Sequence, residues 1–188
     1  MKNALHFSHQ LLADLIQRFP NGTFIDATLG NGNDTHFIIN QPHFKGHVYG
    51  FDIQKQAILN SSTKLESHPK YHLVSLIEKS HDQIEKIISE PTIAGAIFNL
   101  GYLPGGDHDI TTHFNSTLAA IEQIAEKLVK RGQILLVIYS GHPAGMIEKQ
   151  KLFEELSTWS QKEYQVLQYE FINQQNQPPM LLIIEKIK

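Results

Sequence analysis

Thr23-Phe24-Ile25-Asp26-Ala27-Thr28-Leu29-Gly30-Asn31-Gly32-Asn33-Asp34-Thr35 is a short apolar run that ends in a glycine-rich turn, after which a polar residue opens what reads as a helix. That order is the ligand-cradling turn of a doubly wound α/β domain. Its glycines make the turn tight and let the backbone approach a ligand where a Cβ would collide. Gly30 and Gly32 fill that role. Further along, the strand-like run Val48-Tyr49-Gly50-Phe51 ends in Asp52, an acid spaced from the turn so as to accept hydrogen bonds from a ribose. Turn and acid together predict a ligand that contains adenosine.

The 188 residues are most economically one domain spanning 1–188, long enough to bury a full core. The absence of cysteine excludes a disulfide framework, a thiolate metal site and a cysteine nucleophile. It fits a reducing compartment, and a cytoplasmic location is expected. The first residues lack a signal-peptide pattern and no early apolar stretch has the length of a membrane span, so no membrane partner is expected. A formal net charge of -3 gives no global pull towards nucleic acid. All but two of the 16 basic residues are lysines, the exceptions being Arg18 and Arg131. Any RNA contact is then local, or shared with a second subunit.

Periodicity lays out the remaining chain. Phe7, Leu11, Leu12, Leu15, Ile16 and Phe19 recur at helical spacing over residues 6–19, with Ser8 as the expected cap. Strands are predicted at 23–28, 46–51, 71–77, 94–101 and 133–139. Helices are predicted at 33–40, 54–66, 80–89, 111–130 and 146–160. The run Ala94-Gly95-Ala96-Ile97-Phe98-Asn99-Leu100-Gly101 is nearly all apolar, as expected of a central parallel strand buried on both faces. Two closing strands, 164–172 and 180–187, are joined by a short polar loop and must lie antiparallel. A dinucleotide dehydrogenase would continue to a sixth parallel strand. A class I methyltransferase instead tucks an antiparallel seventh strand between the fifth and sixth. The predicted fold is therefore α/β and Rossmann-like, a class I methyltransferase with a seven-stranded, mostly parallel sheet and an antiparallel last strand.

Ligands of open α/β sheets bind at the carboxyl ends of the strands. Those ends carry Gly30, Asn31, Gly32 and Asn33 after strand one, Asp52 and Gln54 after strand two, Ser80 and His81 beyond strand three, and Asn99, Gly101 and Tyr102 after strand four. Asn99-Leu100-Gly101-Tyr102 stands where amine-methylating enzymes carry Asn-Pro-Pro-Tyr, with both prolines replaced. There the Asn oxygen and a following carbonyl accept hydrogen bonds from the target amine while the Tyr ring stacks on a flat base.

These segments, with Leu103-Pro104-Gly105-Gly106-Asp107 and Tyr139-Ser140-Gly141-His142, resemble a bacterial rRNA-methylase family associated with methylation of the tRNA wobble uridine. The resemblance covers nearly the whole chain. It implies S-adenosyl-L-methionine as donor and, as acceptor, the aminomethyl group of a wobble uridine, often 2-thiolated, in the anticodon loop of tRNA. By position it implies that Asp26, Gly30, Asn31, Gly32, Asn33, Asp52, Gln54, Ser80 and His81 hold the cofactor, with Asp52 on the ribose hydroxyls and Ser80 and His81 near the adenine. Gly30-Asn31-Gly32 would seat the amino-acid tail of the cofactor. One departure is Pro143-Ala144-Gly145, where family members more often carry an acidic residue and two glycines.

A protonated amine has no lone pair to donate, so a group must favour or accept its deprotonated form. Asp107 and His142 are the candidates, with Asn99 and Tyr102 orienting; these four are the expected catalytic set. His6/His9 and His68/His72 have metal-like spacing, but without clustered carboxylates or cysteine they read as surface histidines and no metal is expected. Three other readings stay open: an N-methyltransferase of rRNA, another RNA or a small molecule, an NAD-dependent oxidoreductase on the same turn, and a catalytically silent nucleoside-binding domain. A homodimer sharing the RNA surface is compatible with the small size of the chain.

Overall fold

The computed structural model describes residues 1–101, 112–141 and 143–188, with the backbone alone at 143 and 144. In chain order the first half is α1 (Ala4–Arg18), β1 (Thr23–Asp26), α2 (Asn33–Ile39), β2 (His47–Asp52), α3 (Lys55–Leu65), β3 (Val74–Glu78) and α4 (Ile84–Ile87). The second half is β4 (Ile93–Leu100), α5 (Phe114–Lys127), β5 (Leu128–Ile138), α6 (Pro143–Leu156), β6 (Tyr164–Tyr169) and β7 (Met180–Lys186).

The strands form one seven-stranded sheet in the order β3-β2-β1-β4-β5-β7-β6. The neighbours from β3 to β5 pair in parallel, and β7 pairs antiparallel with both β5 and β6. This is the expected class I methyltransferase topology. Alternation along each strand divides the apolar residues between two layers. Ala96, Phe98 and Leu100 of β4 join Ile134, Leu136 and Ile138 of β5 on one face, under α5 and α6. Ala94 and Ile97 join Leu135 and Val137 on the other, under α1. With both faces covered, β4 has the near-continuous apolar sequence of a buried central strand.

Several boundaries depart from the periodicity. The first helix starts at Ala4, because the side chain of Asn3 accepts the His6 N–H at 2.9 Å and caps it there. Ser8, expected as the cap, is buried inside the helix and donates to the Leu5 carbonyl at 2.8 Å. The helix expected at 80–89 shrinks to a 3-10 turn followed by α4, because Ile88 turns extended and buries its side chain. The helix expected to reach residue 130 ends at Lys127, and β5 begins at once because buried Leu128 pairs with Ile93. Pairing resumes at Gly95↔Gln133, so the intervening residues bulge from β5 and Arg131 takes φ +68°.

The consequence for function lies at the switch in strand order. From β1 the chain winds outward through β2 to β3, then crosses back to β4 on the other side. Beyond the carboxyl ends of β1 and β4 the connections diverge and leave a cleft. Two bonds hold its lips in register: Ala27 N–H to the Ile97 carbonyl at 2.9 Å, and Asn99 N–H to Thr28 Oγ1 at 2.6 Å.

Candidate active site

Asp26 closes β1 and is fully buried, accepting the backbone N–H of Thr35 at 3.1 Å and its hydroxyl at 2.8 Å. It thereby ties the first turn of α2 to the sheet. Burial, then the charge of Asp34, push its carboxyl up to about 7. Gly32 caps α2 at φ +69°, and a Cβ there would stand 2.8 Å from Ser61 Oγ, so only glycine fits. Ser61 itself donates to the Gly30 carbonyl at 3.0 Å. Asp26 and Gly32, expected among the cofactor contacts, line neither cavity of the cleft. Both support the turn from beneath it.

The remaining turn residues face outward. Asn31 Oδ1 accepts from Asn60 at 3.0 Å, and Asn33 accepts from Lys64. The Asp52 carboxylate receives Gly30 N–H on one oxygen and Gln54 N–H on the other, each at 2.9 Å. Behind β1, His81 is buried and its Nδ1 donates to the Ala27 carbonyl at 2.9 Å. Burial holds the imidazole below the ordinary histidine range, so it is neutral near pH 7 and Nε2 carries a lone pair. Among the described residues that Nε2 has no hydrogen-bond partner.

Two adjoining cavities occupy the cleft. The smaller, about 360 Å³, is lined by Asp52, Gln54, Ser80, His81, Thr112 and His113 among others. The larger, about 720 Å³, is lined by Asn31, Asn33, Asp34, Leu5, His9, Tyr139, Gly141 and Gln177. Thr28, Gly30, Asn99 and Gly101 border both. The predicted residues of β1, β2 and β4 and those beyond β3 therefore meet around one divided cleft. Tyr102, Asp107 and His142 lie outside the described residues.

Sequence reasoning missed His9, Asp34, Thr28 and Tyr139. His9 was expected at the surface, yet its ring stacks on Phe37 with centroids 4.1 Å apart and its Nε2 lies 2.5 Å from Asp34 Oδ1. Asp34 reads in sequence as an ordinary acid in the first turn of a helix, a place where acids are common. Nothing in the pattern signals that α1 folds back over the cleft.

The neutral histidine with a free acceptor, the acid anchored at the end of β2 and the glycine turn fit an adenosine-bearing cofactor. With a doubly wound sheet whose last strand is inserted antiparallel, they define a class I methyltransferase. The family described as "Putative rRNA methylase" matches residues 48–185. A Clostridium thermocellum crystal structure carrying the same rRNA-methylase description is 42% identical, with a TM-score of 0.94 over 100% of this chain and 99% of that one. A Streptococcus mutans methyltransferase structure in complex with S-adenosylhomocysteine is 37% identical, with a TM-score of 0.89 over 100% and 99% of the two chains. The Arabidopsis thaliana chloroplastic tRNA (mnm(5)s(2)U34)-methyltransferase is 37% identical over an alignment of 157 residues that covers 78% of this chain. This chain spans only 56% of that plant protein.

The chain belongs to the rRNA-methylase family of methyltransferases. It is an enzyme that takes S-adenosylmethionine as cofactor, which sets aside the oxidoreductase and silent-domain readings. Among the described residues no group of three or more histidines and carboxylates could hold a metal ion. Among them, too, no helix is long and apolar enough to cross a membrane.

Proposed function

We propose that this enzyme methylates the aminomethyl nitrogen of a modified uridine at the wobble position of tRNA, giving methylaminomethyl-uridine, with or without 2-thiolation. The observation that carries this reading is Asn99. It stands at the end of the central strand on the wall shared by both cavities, where an acceptor in the larger one meets a cofactor reaching from the smaller. The likeness to the plant tRNA (mnm(5)s(2)U34)-methyltransferase supports the same acceptor.

In this reading Asp52 takes the ribose hydroxyls, with Gln54 beside it, and Ser80 and His81 face the adenine. Gly30, Asn31 and Asn33 border the amino-acid tail. When bound, the cofactor supplies a methyl group on a sulfonium, an activated leaving group that needs no further acid. The work left to the protein is to aim an amine nitrogen and exclude competing nucleophiles. The Asn99 amide oxygen accepts an N–H from the amine and so points the lone pair along the line of attack. The family resemblance assigns Tyr102 to orienting the acceptor and makes Asp107 and His142 candidates for its proton. Catalysis takes place in the cytoplasm, and a homodimer shares the RNA surface.

Nucleoside mass spectrometry of tRNA from a deletion strain tests the assignment. Aminomethyl-uridine should accumulate at the expense of its methylated form, and an unchanged wobble profile would sink it.

A further inference from the structure

Asp34 opens α2, its side chain is 8% exposed, and each of its two oxygens is engaged by a side chain from another element. Asn99 Nδ2, at the end of β4, donates to Oδ2 at 2.5 Å, and His9 Nε2, from α1, donates to Oδ1 at 2.5 Å. All three residues line the larger cavity. A carboxylate only accepts, so the Asn99 amide must turn its NH2 towards Asp34 and its oxygen away. Against the imidazole the same logic places a proton on Nε2. His9 is itself held by its stack on Phe37, with the rings only 17° from coplanar.

An aliphatic amine needs such a partner. An alkyl ammonium like that of lysine titrates near about 10.4, so at pH 7 only about one molecule in a few thousand carries a lone pair. We propose that Asp34 and His9 are the proton-accepting pair for the acceptor amine, and that Asp34 also fixes the Asn99 amide with its oxygen towards that amine. The inference rests on the amine-methylating reading above. It supplies the proton acceptor from residues other than Asp107 and His142.

The balance is as follows. One N–H bond of the ammonium breaks and its proton goes to Nδ1 of His9, the ring nitrogen that does not face Asp34, giving an imidazolium whose Nε2–H stays on the Asp34 carboxylate. The electron pair stays on nitrogen and forms the new N–C bond, while the electron pair of the methyl–sulfur bond remains on sulfur. The product leaves as a secondary ammonium. His9, with its side chain 23% exposed, then returns its proton to solvent. Two further titratable groups feel the charge of Asp34, Asp26 from β1 and Tyr139 just beyond β5.

The test is a pH series of single-turnover rates on tRNA bearing aminomethyl-uridine, at saturating donor, for wild type, His9→Gln and Asp34→Asn. Calorimetric binding of S-adenosylhomocysteine is measured alongside. At pH 7 both variants should be slower by about 10²-fold. The His9→Gln deficit should close as pH rises and water supplies free amine. The Asp34→Asn deficit should close only in part, because its Asn99 amide can flip. Affinity for S-adenosylhomocysteine should stay within about twofold for both, since neither residue holds the cofactor. His9→Ala provides a second route: added imidazole should restore its rate at pH 7 in a dose-dependent way, which a merely structural histidine would not allow.

Wild-type speed in His9→Gln at pH 7, or a deficit equal at every pH with no rescue by imidazole, would overturn the pair while leaving the acceptor assignment standing. Failure of the wild type itself to methylate this tRNA would overturn both.

Discussion

The backbone N–H of Gly30 donates to the carboxylate of Asp52 at 2.9 Å, so the acid that closes β2 also fixes the turn that follows β1. One side chain thus shapes the glycine turn and, in the proposed cofactor pose, would also meet the ribose. Substituting it should damage both at once. Asp52→Ala should weaken S-adenosylhomocysteine by at least about tenfold, the scale of one charge-assisted hydrogen bond. Calorimetry of the purified variant measures this; unchanged affinity would mean that the carboxylate serves the turn alone.

Gly32 offers a test of the foundation rather than of the contacts. At φ +69° an alanine pays the left-handed penalty of about 1–2 kcal/mol, and its methyl also meets Ser61 Oγ, 2.8 Å away. Gly32→Ala should lower the melting temperature by about 3–8 °C for a chain of this size. Gly32→Ala combined with Ser61→Ala relieves the contact but not the backbone strain, so it should recover only part of the loss. Full recovery would show that crowding alone makes glycine necessary.

Asp26 gives a pH dependence with a definite sign. Its folded carboxyl is pushed up to about 7 from an ordinary 3.8, by burial first and by Asp34 second. Between those values the folded protein keeps a proton that the unfolded chain has released. Stability from this group therefore falls as pH rises through the window, and the loss is complete above it. Asp26→Asn removes the titration. Its stability relative to wild type should improve steadily from about pH 4 to about pH 7 and level off beyond. Urea denaturation across that range reads the difference directly, and a flat difference would refute it.

His81 runs the other way. Burial lowers its affinity for a proton from the ordinary 6.5, so Nε2 remains an acceptor to below the usual histidine range. S-adenosylhomocysteine affinity should hold constant as pH falls through 6.5 and weaken only at lower pH, when Nε2 is protonated. His81→Phe should bind about tenfold more weakly, the worth of one hydrogen bond from adenine, and should lose that acid-side change. An acid limb that survives in His81→Phe would assign it to another group.

The order of strands was legible because strand-end chemistry and the closing hairpin are local signals. A glycine turn, an acid at the end of β2 and two strands around a polar loop can each be recognised without knowing what packs on them. The wall of the larger cavity formed by His9 and Asp34 was not legible in the same way. His9 and Asp34 are 25 positions apart and meet only because α1 crosses the sheet near β4, β5 and β7. In sequence each has an ordinary explanation, a solvated histidine and a helix-opening acid. Asp26 adds a role that its motif position does not announce: fully buried, it braces α2 against β1 through Thr35. The break at Lys127 was hidden because Leu128 suits a helix as well as a strand, and only its pairing with Ile93 decides between them.

The insertion of β7 between β5 and β6 also imposes a schedule on folding. β6 precedes β7 in the chain and, among the described residues, pairs with β7 alone, so it has nowhere to dock until Met180–Lys186 has been made. Until then β5 presents an open apolar edge, the kind of surface that invites aggregation. During synthesis the parallel half of the sheet can assemble early, whereas its hairpin half must wait and then close in one concerted event. Truncations or slow codons near residue 180 should therefore act on the yield of folded enzyme far more than on the activity of each molecule that folds.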